Sequence, residues 1–327
     1  MAAAPVRAGP AAGERAGEGV LNFPIAGVTL SPFGLIAIGL VVGALGGFFG
    51  VGGSFLAGPA LYTLGLPMNF VVGTDLAHIM GKSIVAARRH RALGNVDLKL
   101  GLLMAGGTLA GVELGAQAVQ VLKRHNLTDV VLGSTFAVIL LVIGAFMLWE
   151  SLGALRRRGR GTAIRGRGKD RDRLHFTALA RRIRAISLPP HVSLPASGIE
   201  RISLWAIVAV GLVGGFFSGL LGGGAGYIRM PSLVYVLGVP THVAIGTDLF
   251  EIILSAGYGT VSHALKGNVD ILIALVMHTG AAVGAQIGAA ATERFHGARI
   301  RLAFVPLPLL GAAILIFEIL RRGVWKP

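Results

Sequence analysis

The chain has 327 residues and a formal charge of +15, and 54% of its residues are hydrophobic against 14% charged. A soluble domain carries roughly 25% charged residues. This balance, with 50 glycines and a mean hydropathy of +0.73, therefore places the chain in a membrane and excludes a soluble enzyme, a disulfide-held secreted domain and a disordered polymer. The absence of cysteine also removes thiolate metal sites, iron–sulfur ligation and cysteine nucleophiles.

In chain order, residues 1–28 are rich in Ala, Gly and Pro and lack the apolar core of a signal peptide, so they are expected to form a mobile tail. Apolar stretches follow near 33–49, 54–66, 70–87, 98–119 and 128–149, making a first transmembrane unit over 29–150. The segment 151–200 is a basic linker: twelve Lys/Arg lie between Arg156 and Arg184 against Asp170 and Asp172 alone. An Arg/Gly-rich run of this kind suits nucleic acid in other settings, but between apolar spans it reads as a cytoplasmic loop touching anionic lipid headgroups, with no nucleic-acid partner. Phe176 to Ile186 is expected to lie on the membrane surface as an amphipathic helix. A second unit, 201–322, has apolar stretches near 202–221, 227–239, 243–265, 269–291 and 302–320.

The two units are copies. Adding 173 to Pro67, Gly73-Thr74-Asp75-Leu76, His90 and Gly94-Asn95-Val96-Asp97 returns Pro240, Gly246-Thr247-Asp248-Leu249, His263 and Gly267-Asn268-Val269-Asp270. Pro59 pairs with Pro231, Gly47-Phe48-Phe49 with Gly215-Phe216-Phe217, and Gly111, Gly115 and Gln117 with Gly280, Gly284 and Gln286, the changing offset suggesting small insertions. The expected fold is therefore all-α and polytopic, with 8–10 membrane segments in two homologous helical repeats. If each half crosses five times the repeat is inverted, and Lys and Arg then divide 20 to eight in favour of the linker side. If the two short stretches, 54–66 and 227–239, re-enter instead of spanning, each half crosses four times and the repeat is parallel.

Gly50-Val51-Gly52-Gly53 and Gly222-Gly223-Gly224 each precede a short stretch and predict two broken helices, a pattern that in carriers aims helix N-termini at an anion. The alternative is tight helix packing, which is the better reading for Gly111/Gly115 and for Gly280/Gly284/Gly288. Asp75, His78 and Lys82 share one helical face, matched by Asp248, Glu251 and Ser255. Ionisable residues at membrane depth point to substrate or proton handling, while Thr74/Asp75 and Thr247/Asp248 at a helix start would act as caps. Arg229 suits an oxyanion through two parallel hydrogen bonds, or it snorkels to the interface. The element from His90 to Asp97, and its copy from His263 to Asp270, reads as a turn whose aspartate caps the next helix. No catalytic residue, metal site or cofactor motif is predicted.

This doubled pattern of glycine-rich break, Pro-containing short segment, Gly-Thr-Asp-Leu and His-x-x-x-Gly-Asn-Val-Asp resembles the sulfite exporter TauE/SafE family over about residues 33–320. The resemblance implies a bacterial or archaeal inner-membrane permease that exports small anions, often sulfite or sulfonates, without ATP hydrolysis. Asp75 and Asp248 depart from it, since the family commonly has a small polar residue there. The expected substrate site lies between the halves and is lined by Gly52, Gly53, Ser54, Thr74, Lys82, Gly223, Gly224, Arg229 and Thr247. Asp75, His78, Asp248 and Glu251 are the candidates for proton coupling or gating. A passive anion channel is the nearer rival, and an intramembrane enzyme using Ser54 or Ser255 with His78 the remote one.

Overall fold

The structure, a computed structural model, describes residues 19–159, 188–295 and 297–323. The expected surface helix over 176–186 and most of the basic linker lie outside them. Helix α1 (Pro32–Phe49) is apolar on all faces; Ser31 caps it, its Oγ accepting from the Gly34 N–H at 3.4 Å, and Pro32 occupies the first turn, where no N–H is required. After the glycine tract come α2 (Ser54–Thr63), α3 (Met68–Ala92), α4 (Leu98–Arg124) and α5 (Thr128–Gly159). The second half repeats the order as α6 (Leu204–Leu221), α7 (Gly226–Ser232) with a π-helical continuation over Leu233–Leu237, α8 (Thr241–Leu265), α9 (Ile271–Thr292), α10 (Gly297–Phe304) and α11 (Pro306–Arg322).

Among the described residues, seven helices are long and apolar enough to cross a membrane: α1, α3, α4, α5, α6, α9 and the stretch Arg299–Arg322 formed by α10 and α11. The stretch expected at 243–265 is helix α8, which has 25 residues like α3 but is not among the seven. Its buried face carries Asp248, Glu251, Ser255, Ser262 and His263, so its polarity is turned into the protein.

Two short antiparallel hairpins were not anticipated. Strand β1 (Leu21–Phe23) pairs with β2 (Val28–Leu30) just before α1, and β3 (His191–Leu194) with β4 (Ile199–Ser203) just before α6. The tail expected over 1–28 is thus anchored in its last part, because Phe23 is fully buried and the Ala26 N–H donates to Asp270 Oδ2 at 3.1 Å. The linker hairpin is held in the same way, with Ser197 Oγ donating to Asp97 Oδ2 at 2.6 Å. The same two aspartates cap α4 and α9, Asp97 accepting from the Leu100 N–H and Asp270 from the Leu272 and Ile273 N–H groups. The turn and capping reading of the repeated element therefore holds.

The two halves are intertwined. The first helix of each half packs on the fourth helix of the other, α1 on α9 and α6 on α4, and these are the two most extensive helix contacts. Backbones touch because glycines face each other. A Cβ on Gly280, Gly284 or Gly288 would run into the carbonyls of Ile36, Leu40 and Ala44, and one on Gly107, Gly111 or Gly115 into those of Val208, Leu212 and Phe216. The order of these contacts makes α1 and α9 parallel, and likewise α4 and α6. Helix α3 crosses α8 in the opposite sense, Leu76 meeting Gly259 while Met80 meets Gly257.

These contacts correct the alignment of the halves. Helix ends and seam partners place α6 172 residues after α1, and α8 and α9 173 after α3 and α4. The pairings of Gly47-Phe48-Phe49 with Gly215-Phe216-Phe217 and of Gly111/Gly115 with Gly280/Gly284 are each displaced by one helical turn. A helix with a small residue at every fourth position matches its copy almost as well when slid by a turn, which is how the false offsets arise. One inserted residue, between Pro59 and Pro67 and their counterparts Pro231 and Pro240, accounts for the whole change of offset.

Candidate functional site

The glycine tracts meet at the centre of the intertwined halves. Gly50, Gly52 and Gly53 have positive φ, as do Gly222, Gly223 and Gly224. That conformation is strained for a side chain, and Ala225 (φ 48°) is the sole non-glycine in either tract to adopt it. Ser54 Oγ donates to the Gly223 carbonyl at 3.0 Å. A Cβ on Gly226 would lie 2.6 Å from Val51 Cα. Ser54 and Gly226, like Val51 and Gly223, are 172 residues apart, so the same contact is made twice. The same repetition sets Gly52 against Ile79 and Gly224 against Ile252. Gly53 abuts the Val42 carbonyl, so the space beside these three glycines is taken by protein atoms. Two side-chain polar atoms stand beside Gly223: Ser54 Oγ, and Asp75 Oδ2, 3.0 Å from where a Cβ on Gly223 would stand.

Asp75, His78 and Lys82 are buried on one face of α3. His78 Nδ1 lies 3.3 Å from Asp75 Oδ1, and Lys82 Nζ lies 3.5 Å from His78 Nε2. Asp75 Oδ2 has no hydrogen-bond partner. In the second half, Arg229, Asp248 and Glu251 are fully buried. Arg229 Nε donates to Asp248 Oδ1 at 2.5 Å, while Nη1 stands 3.9 Å from Glu251 Oε2. Neither Nη atom of Arg229, neither oxygen of Glu251, nor Asp248 Oδ2 makes a hydrogen bond. Arg229 is thus enclosed and does not snorkel. The clusters occupy matching places but draw their cations from different helices: Lys82 on α3 corresponds to Ser255, and Arg229 on α7 corresponds to Ala57.

Neither aspartate caps a helix. α3 begins at Met68 and α8 at Thr241, so Thr74, Asp75, Thr247 and Asp248 lie in the second turn, where backbone N–H groups already have partners within the helix. The threonines have another task. The Asp270 N–H donates to Thr74 Oγ1 at 3.0 Å and the Asp97 N–H to Thr247 Oγ1 at 2.9 Å, while Gly73 and Gly246 leave room for the carbonyls of Asn268 and Asn95. Gly-Thr of each half therefore docks on the Gly-Asn-Val-Asp turn of the other. Thr74→Val and Thr247→Val are each expected to destabilise the protein by about 1 kcal/mol, the worth of one buried hydrogen bond. Thermal denaturation in detergent should show two equal shifts; a shift in one variant alone would contradict the symmetric docking.

Sequence reasoning missed His278 on α9, whose ring packs against Gly81 with its Nδ1 buried and unpartnered, and Tyr227 on α7, whose buried hydroxyl likewise has no partner. The rule that singled out Lys82, an ionisable group at membrane depth, applies equally to His278. Tyr227 carries no such signal.

The sequence model of the sulfite exporter TauE/SafE family matches residues 35–315. Among curated proteins, the chain is 24% identical over 292 residues to the probable membrane transporter protein YunE of Bacillus subtilis, covering 87% of this chain and 97% of that one. It is 23% identical to the probable membrane transporter protein YdhB of the same organism, over 86% and 99% of the two chains. It is also 24% identical to the probable membrane transporter protein MJ0441 of Methanocaldococcus jannaschii, over 82% and 89%. No solved structure matches.

Proposed function

The chain belongs to the sulfite exporter TauE/SafE family, and on that premise we propose that it exports small oxyanions, such as sulfite or sulfonates, across a cell inner membrane by alternating access. It is a multi-pass membrane transporter and not an enzyme. The observation that carries the finer reading is the pair of buried ionisable clusters, one per half, flanking the place where the glycine tracts meet. Polar groups withdrawn so far from water are costly, and in a membrane they mark the path of a polar solute. Lys82 and the distal nitrogens of Arg229 supply positive charge, and Ser54 and the glycine tracts form the backbone part of the site, which opens as the halves rock.

The running directions of the helices support an inverted repeat with α1–α2 and α6–α7 as broken elements. α1, α3 and α9 run one way and α4, α6 and α8 the other, so the first helices of the two halves, α1 and α6, run in opposite directions. The basic linker then lies in the cytoplasm against anionic lipid headgroups.

Ligand-dependent thermal stabilisation tests the substrate class. Sulfite, thiosulfate, sulfoacetate, sulfate and carboxylates are compared on the detergent-purified protein; an anion at 100 times its Kd stabilises by about 2.7 kcal/mol. Arg229→Ala is expected to abolish the stabilisation by the best of them. Stabilisation as large in that variant as in the parent protein would remove Arg229 from the site.

A further inference from the structure

The two clusters have diverged in a way that divides their work. In the first half, one carboxylate, Asp75, faces one ammonium, Lys82, with His78 between them. In the second half, two carboxylates share one guanidinium. Asp248 takes the Nε edge of Arg229 in a short hydrogen bond, whereas Glu251 stays 3.9 Å from Nη1, beyond hydrogen-bond distance, with both of its oxygens unpartnered. Among the described residues, other elements add no cation beside Glu251: α4 presents the Thr108 hydroxyl, α6 carries no ionisable residue, and Asp75, His78 and Lys82 of α3 bond one another. Of α10, Arg301 is bonded to Thr241 at the start of α8. A second carboxylate that shares its counter-charge with another is costly to keep ionised in such a place.

We propose that Glu251 binds and releases one proton in each transport cycle and that Arg229 links this proton to the anion. When ionised, Glu251 claims the Nη1 edge of the guanidinium. When protonated, it releases that edge, and an oxyanion takes the two Nη donors while Asp248 keeps Nε. Protonation thus strengthens anion binding, and by reciprocity the anion strengthens proton binding. Proton and anion then travel together, without net charge movement for a monoanion, and the sum of their gradients sets the direction. An anion abundant inside the cell would leave with a proton. This inference rests on the anion-carrier reading given above.

The test uses proteoliposomes of the full chain with internal pyranine as pH indicator and methanesulfonate as probe, since a sulfonate keeps its charge across the working pH range. The membrane potential is clamped at zero. For the parent protein, exchange is expected to speed up as pH falls, and an acidic exterior should drive accumulation approaching about tenfold for each pH unit, with internal acidification. E251Q, which mimics the protonated acid, should still move methanesulfonate but show no pH dependence and no accumulation, while E251D should keep both. Accumulation by E251Q under a pH gradient would overturn the assignment. So would a parent protein that carries methanesulfonate but does not concentrate it, an outcome that needs no variant to fold. A parent protein that moves neither methanesulfonate nor sulfite would instead overturn the underlying reading of anion transport.

Discussion

Lys82→Met is expected to lower sulfite or sulfonate flux in proteoliposomes by about 10- to 100-fold while leaving the protein as stable as before or more so. Lys82 is 2% exposed, and among the described residues no carboxylate comes within 4.0 Å of its Nζ; the nearest partner is His78 Nε2 at 3.5 Å. An ammonium in that position costs several kcal/mol to desolvate, and a neutral imidazole offsets little of that. Methionine fills similar space without the charge, so the fold loses a burden. A purely structural lysine would behave oppositely, its removal lowering the melting temperature and sparing the flux. Flux within twofold of the parent protein would therefore exclude Lys82 from anion binding. Lys82→Arg separates charge from shape: it keeps the cation and should retain measurable flux.

The seams between the halves yield the largest expected effect on stability. Gly284→Val and Gly111→Val place a branched side chain where the carbonyls of Leu40 and Leu212 already stand, and in each case the obstruction is backbone, which no rotamer change can relieve. The facing helices must separate along the seam, at an expected cost of about 3 kcal/mol or more. For a protein of this size that corresponds to a fall in melting temperature of roughly 4–5 °C. Gly106 lies one residue from a seam glycine of α4 but has nothing within 4 Å of its missing Cβ. Gly106→Ala should therefore be neutral or stabilising by up to about 1 kcal/mol, through helix propensity. If Gly284→Val melted with Gly106→Ala, the seams would not be what holds the halves together.

Much of the architecture was legible from one dimension. The apolar stretches, the glycine runs whose backbone takes positive φ and the capping aspartates Asp97 and Asp270 are local properties: each depends on hydropathy, glycine content or a residue three positions away, and the chain carries them wherever it goes. The same holds for the ionisable residues at membrane depth, because a run of apolar neighbours is enough to mark Asp75, Lys82 and Glu251 as out of place. The register of the copies was less secure, since glycines spaced by four repeat with the helix itself, and only the facing carbonyls tell one turn from the next.

What the tertiary structure alone decided is partnership. Arg229 reaches Asp248, 19 residues on, and Thr74 reaches the backbone of Asp270 in the other half, while among the described residues Lys82 makes no direct contact with a carboxylate and meets Asp75 only across His78. Nothing in spacing or composition distinguishes these outcomes. They follow from helices of opposite halves crossing at angles and depths set by where small residues let backbones touch, and a side chain's electrostatic role in a membrane depends on who stands opposite it.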